Sequence, residues 1–272
     1  MTSFTVLGAD GFIGSNLVQW LLSQGFLCWA PGRAEGVFGR PLGHAIYCIG
    51  LTADFRERPY DTVRAHVCHL LDILEKADFA SLLYLSTTRV YRNATTTRED
   101  GALPVNPLQL DDLYNVSKIM GESLCLASGR PNVRIARLSN VYGRDFSSDN
   151  FLSYVIREAV ETQKVILHSA MSSEKDYVYI DDVVRLLPQI NLSGGHEIYN
   201  VASGVNTTNR ALMEVIQHAT GCAVEVAEGA TTAVFPAICI DRVRSEFDFA
   251  PSLILDSLER IMDEYQGKTE AR

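Results

Sequence analysis

Apolar residues in the first half of the chain fall into short runs separated by segments of helical spacing. Residues 4–7, 27–30, 44–49, 82–85 and 133–138 are mostly apolar runs of strand length. Between them the apolar positions follow a helical period. Leu17, Val18, Leu21 and Leu22 share a face over 14–23, and Val63, Val67, Leu70, Leu71 and Leu74 do so over 62–77. A further helix is expected over 113–128. Short buried strands alternating with amphipathic helices predict an α/β chain: a doubly wound parallel sheet with helices on both faces. The second half is less regular. Helices are expected over 150–162, 181–187, 209–220 and 253–265, and strands over 175–180 and 197–201. A soft boundary falls near 144. Residues 1–144 form the larger expected unit, and 145–272 mostly a smaller C-terminal α/β lobe, with some of its elements rejoining the main sheet.

Composition narrows the class. The chain has 272 residues, 47% of them hydrophobic and 21% charged, which suits one large domain or slightly more with a sizeable core. Its formal net charge is −9. So acidic a surface repels a phosphate backbone, so bulk nucleic-acid binding is not expected. Any phosphate it holds needs backbone amides or a few placed cations. No run of apolar residues is long enough to span a membrane. The N-terminus MTSFTVLGADG lacks the basic region of a secretory leader. A cytoplasmic protein is therefore expected, with its six cysteines (28, 48, 68, 125, 222 and 239) reduced and mostly in the core. They form no CxxC. His66 and His69 stand three apart on the 62–77 helix, but no third ligand is evident, so no metal site is expected.

The first run leads straight into Gly8-Ala9-Asp10-Gly11-Phe12-Ile13-Gly14, and a helix follows. Strand, glycine turn and helix, in that order, make a dinucleotide site. Gly8 permits the tight turn, Gly11 a close approach of the backbone to the pyrophosphate, and Gly14 close helix packing. Phe12 and Ile13 lie on the same turn. The helix N-terminus then offers amides and the positive end of its dipole. The second run ends without a carboxylate, in Ala30-Pro31-Gly32-Arg33. An acidic residue there would hold the ribose hydroxyls of NAD. Its absence, with Arg33 next to it, favours the 2′-phosphate of NADP, with NAD as the alternative.

Tyr114 and Lys118 lie four apart at the start of a helix and so share a face. A phenol is a poor base at its usual pKa of about 10. A neighbouring ammonium favours the phenolate, so the pair can move a proton near neutral pH. The run 82–85 ends in Ser86-Thr87-Thr88, a hydroxyl cluster able to hold a substrate carbonyl.

Taken together, G-A-D-G-F-I-G (8–14), L-S-T-T-R-V-Y (85–91), Y-N-V-S-K (114–118), R-L-S-N-V-Y-G (137–143), K-D-Y-V-Y-I-D-D-V (175–183) and, more weakly, I-Y-N-V-A-S-G (198–204) resemble an extended short-chain dehydrogenase/reductase. The nearest family is the NAD-dependent epimerase/dehydratase family, whose members modify nucleotide sugars. The resemblance implies a nucleotide-sugar substrate. Tyr114 would be the acid/base, and Lys118 would bind the nicotinamide ribose and lower the tyrosine pKa. Thr87 would hold the carbonyl beside Thr88, and Asn140 and Lys175 would lie near the nucleotide phosphates. It also implies a homodimer through the 62–77 and 113–128 helices. Asp181 and Asp182 read as capping residues.

The chain departs from the family in two places. Its 4,6-dehydratases carry an Asp-Glu pair where Thr88 and Arg89 stand here, which argues against water elimination. The usual alanine-rich turn after the third strand is Cys48-Ile49-Gly50-Leu51-Thr52, which implies an altered contact with the middle of the cofactor. The expected activity is reduction of a 4-keto nucleotide sugar by NADPH. An epimerase with retained NAD is the alternative, and a non-catalytic NADP-binding regulator the reading from another class.

Overall fold

The computed structural model describes residues 2–52, 54–144 and 150–270. Its first half is β1 (Ser3–Leu7), α1 (Phe12–Ser23), β2 (Leu27–Trp29), β3 (His44–Tyr47), α2 (Pro59–Val63), a π turn (Arg64–Cys68), α3 (His69–Lys76), β4 (Ser81–Thr87), a short 3-10 turn (Thr88–Tyr91), α4 (Asp112–Ala127) and β5 (Val133–Leu138). The second half is β6 (Asn140–Tyr142), α5 (Phe151–Glu161), β7 (Lys164–Ser169), β8 (Glu174–Tyr179), α6 (Ile180–Ser193), β9 (Ile198–Val201), β10 (Asn206–Thr208), α7 (Asn209–Thr220), β11 (Ala223–Thr231), α8 (Asp241–Phe247) and α9 (Ile254–Glu270).

Six strands pair in parallel in the order β2-β1-β3-β4-β5-β9. Both faces of the inner strands are largely buried, which is why they read as mainly apolar runs. On β4, Leu83 and Leu85 face one core and Leu82 and Tyr84 the other. On β5, Ala136 and Leu138 are divided in the same way from Val133 and Ile135. Strand β9 lies beyond residue 144 yet pairs with β5, and α6 packs on β3, β4 and β5. A second sheet, β10-β8-β6, and a two-stranded β11-β7 pair complete the C-terminal part.

The 62–77 segment is one helical rod from Pro59 to Lys76 with the π turn inside it. Two strand tyrosines meet that turn: Tyr47 Oη donates to the Ala65 carbonyl at 2.6 Å and Tyr84 Oη to the His66 carbonyl at 3.2 Å. Tyr60 and Leu71 on this rod, and Met120 and Leu126 on α4, are exposed. Beneath the sheet end lies a buried ionic network. Glu122 on α4 accepts from Ser86 Oγ at 2.5 Å and from Arg137 Nη2 at 2.6 Å, and Arg137 also donates to Tyr91 Oη at 2.6 Å.

Two expectations change. Asp181 and Asp182 do not cap α6, whose N-cap Tyr179 makes no side-chain cap hydrogen bond. Asp182 instead accepts from the Ser252 amide at 2.7 Å, fixing the approach to α9. The six cysteines are free, but only Cys125 and Cys222 are buried, and Cys68 is exposed. Among the described residues no helix is long and apolar enough to cross a membrane.

Candidate active site

Strand order reverses between β1 and β3, and a crevice forms where the connections leave in opposite directions. A cavity of about 510 Å³ opens there. It is walled by the turns that follow β1, β3, β4 and β5, with β8 and residues 235–238 closing the far side.

The glycine turn forms one wall. Gly8 takes a φ of +89°, open to glycine and strained for other residues. Gly14 is buried in the first turns of α1, where a Cβ would overlap the Gly8 carbonyl oxygen and lie 2.9 Å from Ala9 Cα. At Gly11 a Cβ would make only ordinary contact, 3.5 Å from Gly8 O. Gly11 is the N-cap of α1, no side chain caps the helix, and its first turn carries no acidic residue. Its end is therefore electrically open toward the cavity, where Gly11, Phe12, Ile13 and Gly14 line the wall. These features fit a dinucleotide pyrophosphate: a glycine cradle that a Cβ would fill, beside an uncapped helix end.

Arg33 is not on the cavity wall. It lies in the link between β2 and β3, almost fully exposed, with its Nε 3.8 Å from Asp10 of the glycine turn. In the same link Trp29 Nε1 donates to Glu35 at 3.3 Å and Arg40 stacks 3.8 Å from the Trp29 ring centre.

Thr87 ends β4, and its Oγ1 accepts from the Arg89 amide at 3.2 Å. Thr88 follows, buried on the wall. The start of α4 brings Tyr114 across to them. The Thr52 and Thr87 side chains both act on the Tyr114 oxygen, drawing its pKa down. Phe55 and His66 pack on its ring, with centroids at 5.2 and 5.3 Å. Burial pushes the phenol above its ordinary pKa, outweighing the opposing pull of Thr52, Arg89 and Thr87.

Lys118 lies one turn on, 5% exposed, and its Nζ donates to the Leu85 carbonyl at 2.9 Å. Burial lowers its pKa to about 8, against the opposing effects of Glu122 and Cys48. In the protein alone the cation acting on the phenol is Arg89, whose Cζ is 5.6 Å from the ring centre. Lys118 Nζ is turned to the β4 backbone.

Asn140 and Lys175 face each other's strands on the opposite wall. Asn140 Nδ2 donates to the Asp176 carbonyl at 2.8 Å, and Lys175 Nζ lies 5.2 Å from the Phe151 ring centre. Arg144, by contrast, pairs with Glu264 at 2.7 Å.

Several wall residues were not singled out from sequence. Thr52 is the clearest. Its signal was a hydroxyl just past the strand beside β4, within the segment that departs from the family pattern. His66, which the sequence offered only as half of a metal pair, is fully buried: it accepts from the Leu51 amide at 3.2 Å and its Nδ1 lies 2.8 Å from Ser117 Oγ. Both ring nitrogens are engaged, while His69 is exposed, so the two do not form a ligand pair. Asp176 was quoted in a motif without a role. It ties β8 to the next loop through the Ser203 and Gly204 amides at 2.9 and 2.7 Å.

A sequence model described as the NAD dependent epimerase/dehydratase family matches residues 4–202. Among characterised relatives, the chain is 26% identical over 199 residues to a dTDP-glucose 4,6-dehydratase of Streptomyces griseus, covering 68% of this chain and 58% of that one. It is 25% identical over 166 residues to the dTDP-4-dehydro-6-deoxyglucose reductase of Escherichia coli, covering 58% and 51%. The chain thus spans about half the length of these curated relatives. Solved structures match end to end. MoeE5 in complex with UDP-glucuronic acid and NAD gives a TM-score of 0.83 at 20% identity, covering 98% and 99% of the two chains. RMD from Pseudomonas aeruginosa with NADPH gives 0.82 at 18%, covering 98% and 100%. A UDP-glucose 4-epimerase of Thermotoga maritima gives 0.82 at 19%, covering 98% and 99%.

Proposed function

The chain belongs to the NAD dependent epimerase/dehydratase family, and from that premise and the cavity's chemistry we propose that it reduces the keto group of a nucleotide-linked sugar with NADPH. The observation that carries this reading is the meeting of Tyr114, Thr87, Thr52 and Lys118 in the one cavity that the glycine turn also lines. In this reading residues 1–144 hold the cofactor, and the later residues form most of the substrate side. The Gly8–Gly14 turn and the start of α1 bind the pyrophosphate, Lys118 the nicotinamide ribose, and Arg33 the 2′-phosphate. A bound nicotinamide supplies the hydride. Tyr114 gives its proton to the carbonyl oxygen, which Thr87 and Thr52 hold in place. Thr88, Asn140 and Lys175 take the sugar and the diphosphate. Burial keeps the phenol protonated, the state a proton donor needs.

The second reading is an epimerase with retained NAD. Arg89 favours it, because its charge beside the phenol helps the phenolate that an oxidising first step requires. Reduction is preferred because the second strand ends without a carboxylate and Arg33 follows it, which suits NADPH. Water elimination has less support. Asp176 is the one carboxylate among the described wall residues, and it is held by Ser203 and Gly204.

The test is mass spectrometry of nucleotide released from the denatured protein, with NADPH and NADH titrations of the purified protein and of Arg33→Ala. The expected result is no stoichiometric NAD, tighter binding of NADPH, and about a tenfold loss for NADPH alone in the variant. Stoichiometric NAD would favour the epimerase and remove the role of Arg33. Light scattering of the same preparation gives a dimer if the exposed apolar positions of the 59–76 rod and α4 pair two copies.

The glycine turn gives a further prediction. Gly14→Ala is expected to destabilise the fold by about 1–3 kcal/mol, since backbone must move to admit a methyl group. Gly11→Ala has room, and its stability should stay within about 0.5 kcal/mol while cofactor affinity falls. Denaturation midpoints and NADPH titrations of both variants check this, and equal midpoints would contradict it.

A further inference from the structure

The described wall residues of the cavity include three cations, Arg89, Lys118 and Lys175, and one carboxylate, Asp176. Asp176 is satisfied: Oδ1 accepts from the Ser203 amide, and Oδ2 accepts from the Ser203 hydroxyl at 2.9 Å and the Gly204 amide at 2.7 Å. The cavity therefore carries positive charge with little to balance it. Lys118 is turned to the Leu85 carbonyl, and Lys175 lies on the β8 wall assigned above to the diphosphate. Arg89 remains without a role.

Its surroundings are unusual for an arginine. Nε is buried and has no hydrogen-bond partner. Nη2 reaches only to 3.9 Å from Asp111, whose two oxygens already accept from Arg56 at 2.6 and 2.8 Å. The guanidinium lies over the Phe55 ring at 5.2 Å and the Tyr114 ring at 5.6 Å. Its backbone amide is pinned to Thr87, so the side chain leaves the wall beside the expected carbonyl holder. Lys175 is held below its ordinary pKa by burial and by Arg89, so the two cations act on the same space. A partly buried guanidinium with an unpaired Nε is costly unless an anion pairs with it. The planar fork matches a carboxylate, two oxygens to two N–H groups. Because Arg89 stands beside the phenol, that carboxylate belongs on the sugar near the reacting carbon and not on the nucleotide end.

We infer that Arg89 determines specificity by pairing with a carboxylate on the sugar ring, so that the substrate is a nucleotide-linked uronic acid. This rests on the nucleotide-sugar reading given above.

The experiment uses the full chain saturated with cofactor. UDP, dTDP and GDP are first titrated alone by calorimetry. The nucleotide that binds is then tested as a matched pair, UDP-glucose against UDP-glucuronic acid or the corresponding pair for another base. The wild type is expected to bind the uronic acid about tenfold more tightly or better. Arg89→Met should bring the ratio close to one by weakening the uronic acid alone, and Arg89→Lys should restore part of it. NADPH titration of each variant shows that the fold is intact. Equal affinity for the two sugars in the wild type, or a preference that survives Arg89→Met, would overturn the assignment while leaving the nucleotide-sugar reading in place. Failure of all three nucleotides and their sugars to bind would overturn both.

Discussion

Tyr114→Phe is expected to lower turnover by about 10²- to 10⁴-fold, the usual contribution of a positioned acid. NADPH affinity should change by less than about twofold. The variant removes one oxygen and keeps the ring, against which Phe55 and His66 pack. It takes away only the hydroxyl on which Thr52 and Thr87 act. Single-turnover reduction, followed by loss of NADPH absorbance, measures the effect. The pH profile of the wild type adds a sign. Burial keeps the phenol protonated well beyond neutrality, so the acid itself is present across that range. Lys118 loses its proton near pH 8, earlier than the ordinary value of 10.5 allows. The reductive rate should therefore hold on the acid side and fall as pH rises through about 8, and Lys118→Arg should move the fall to higher pH. Unchanged turnover in Tyr114→Phe would remove the acid/base role and, with it, the proposed direction of the reaction.

The second large effect is on stability. Glu122→Ala is expected to cost about 3–5 kcal/mol, because it strands a buried guanidinium. Arg137 is 3% exposed, and after the change it keeps only Tyr91 Oη and the Glu99 carbonyl as partners. Glu122→Leu combined with Arg137→Met should recover much of the loss, since removing both charges removes the desolvation cost as well as the attraction. Chemical denaturation followed by tryptophan fluorescence compares the three proteins. A single variant within about 1 kcal/mol of the wild type would mean that water reaches the site. Ser86 donates to Glu122 from the cavity wall, so the single variant should also disturb the β4 end that presents Thr87.

Most of the first half was legible in the chain because parallel strands buried on both faces must be largely apolar, and the helices covering them must be amphipathic. Residues 133–138 and 209–220 were read with the observed bounds. The missed elements have another character. Strand β11 is mostly exposed, β7 alternates exposed and buried residues, and β6 and β10 have three residues each. Such segments carry little apolar periodicity, and partners distant in sequence make them strands. The chain by itself also determined the glycine turn, the Tyr114–Lys118 pair and the hydroxyls after β4, because each is a local pattern whose chemistry depends on spacing along one element. Only the tertiary structure decided what surrounds the phenol. Thr52 and Arg89 reach Tyr114 from turns after two different strands, Lys118 turns to the β4 backbone, and Arg33 stays on the rim. Charge and hydrogen bonding act over a few ångströms through space, and sheet order, which no local pattern encodes, sets which residues come that close.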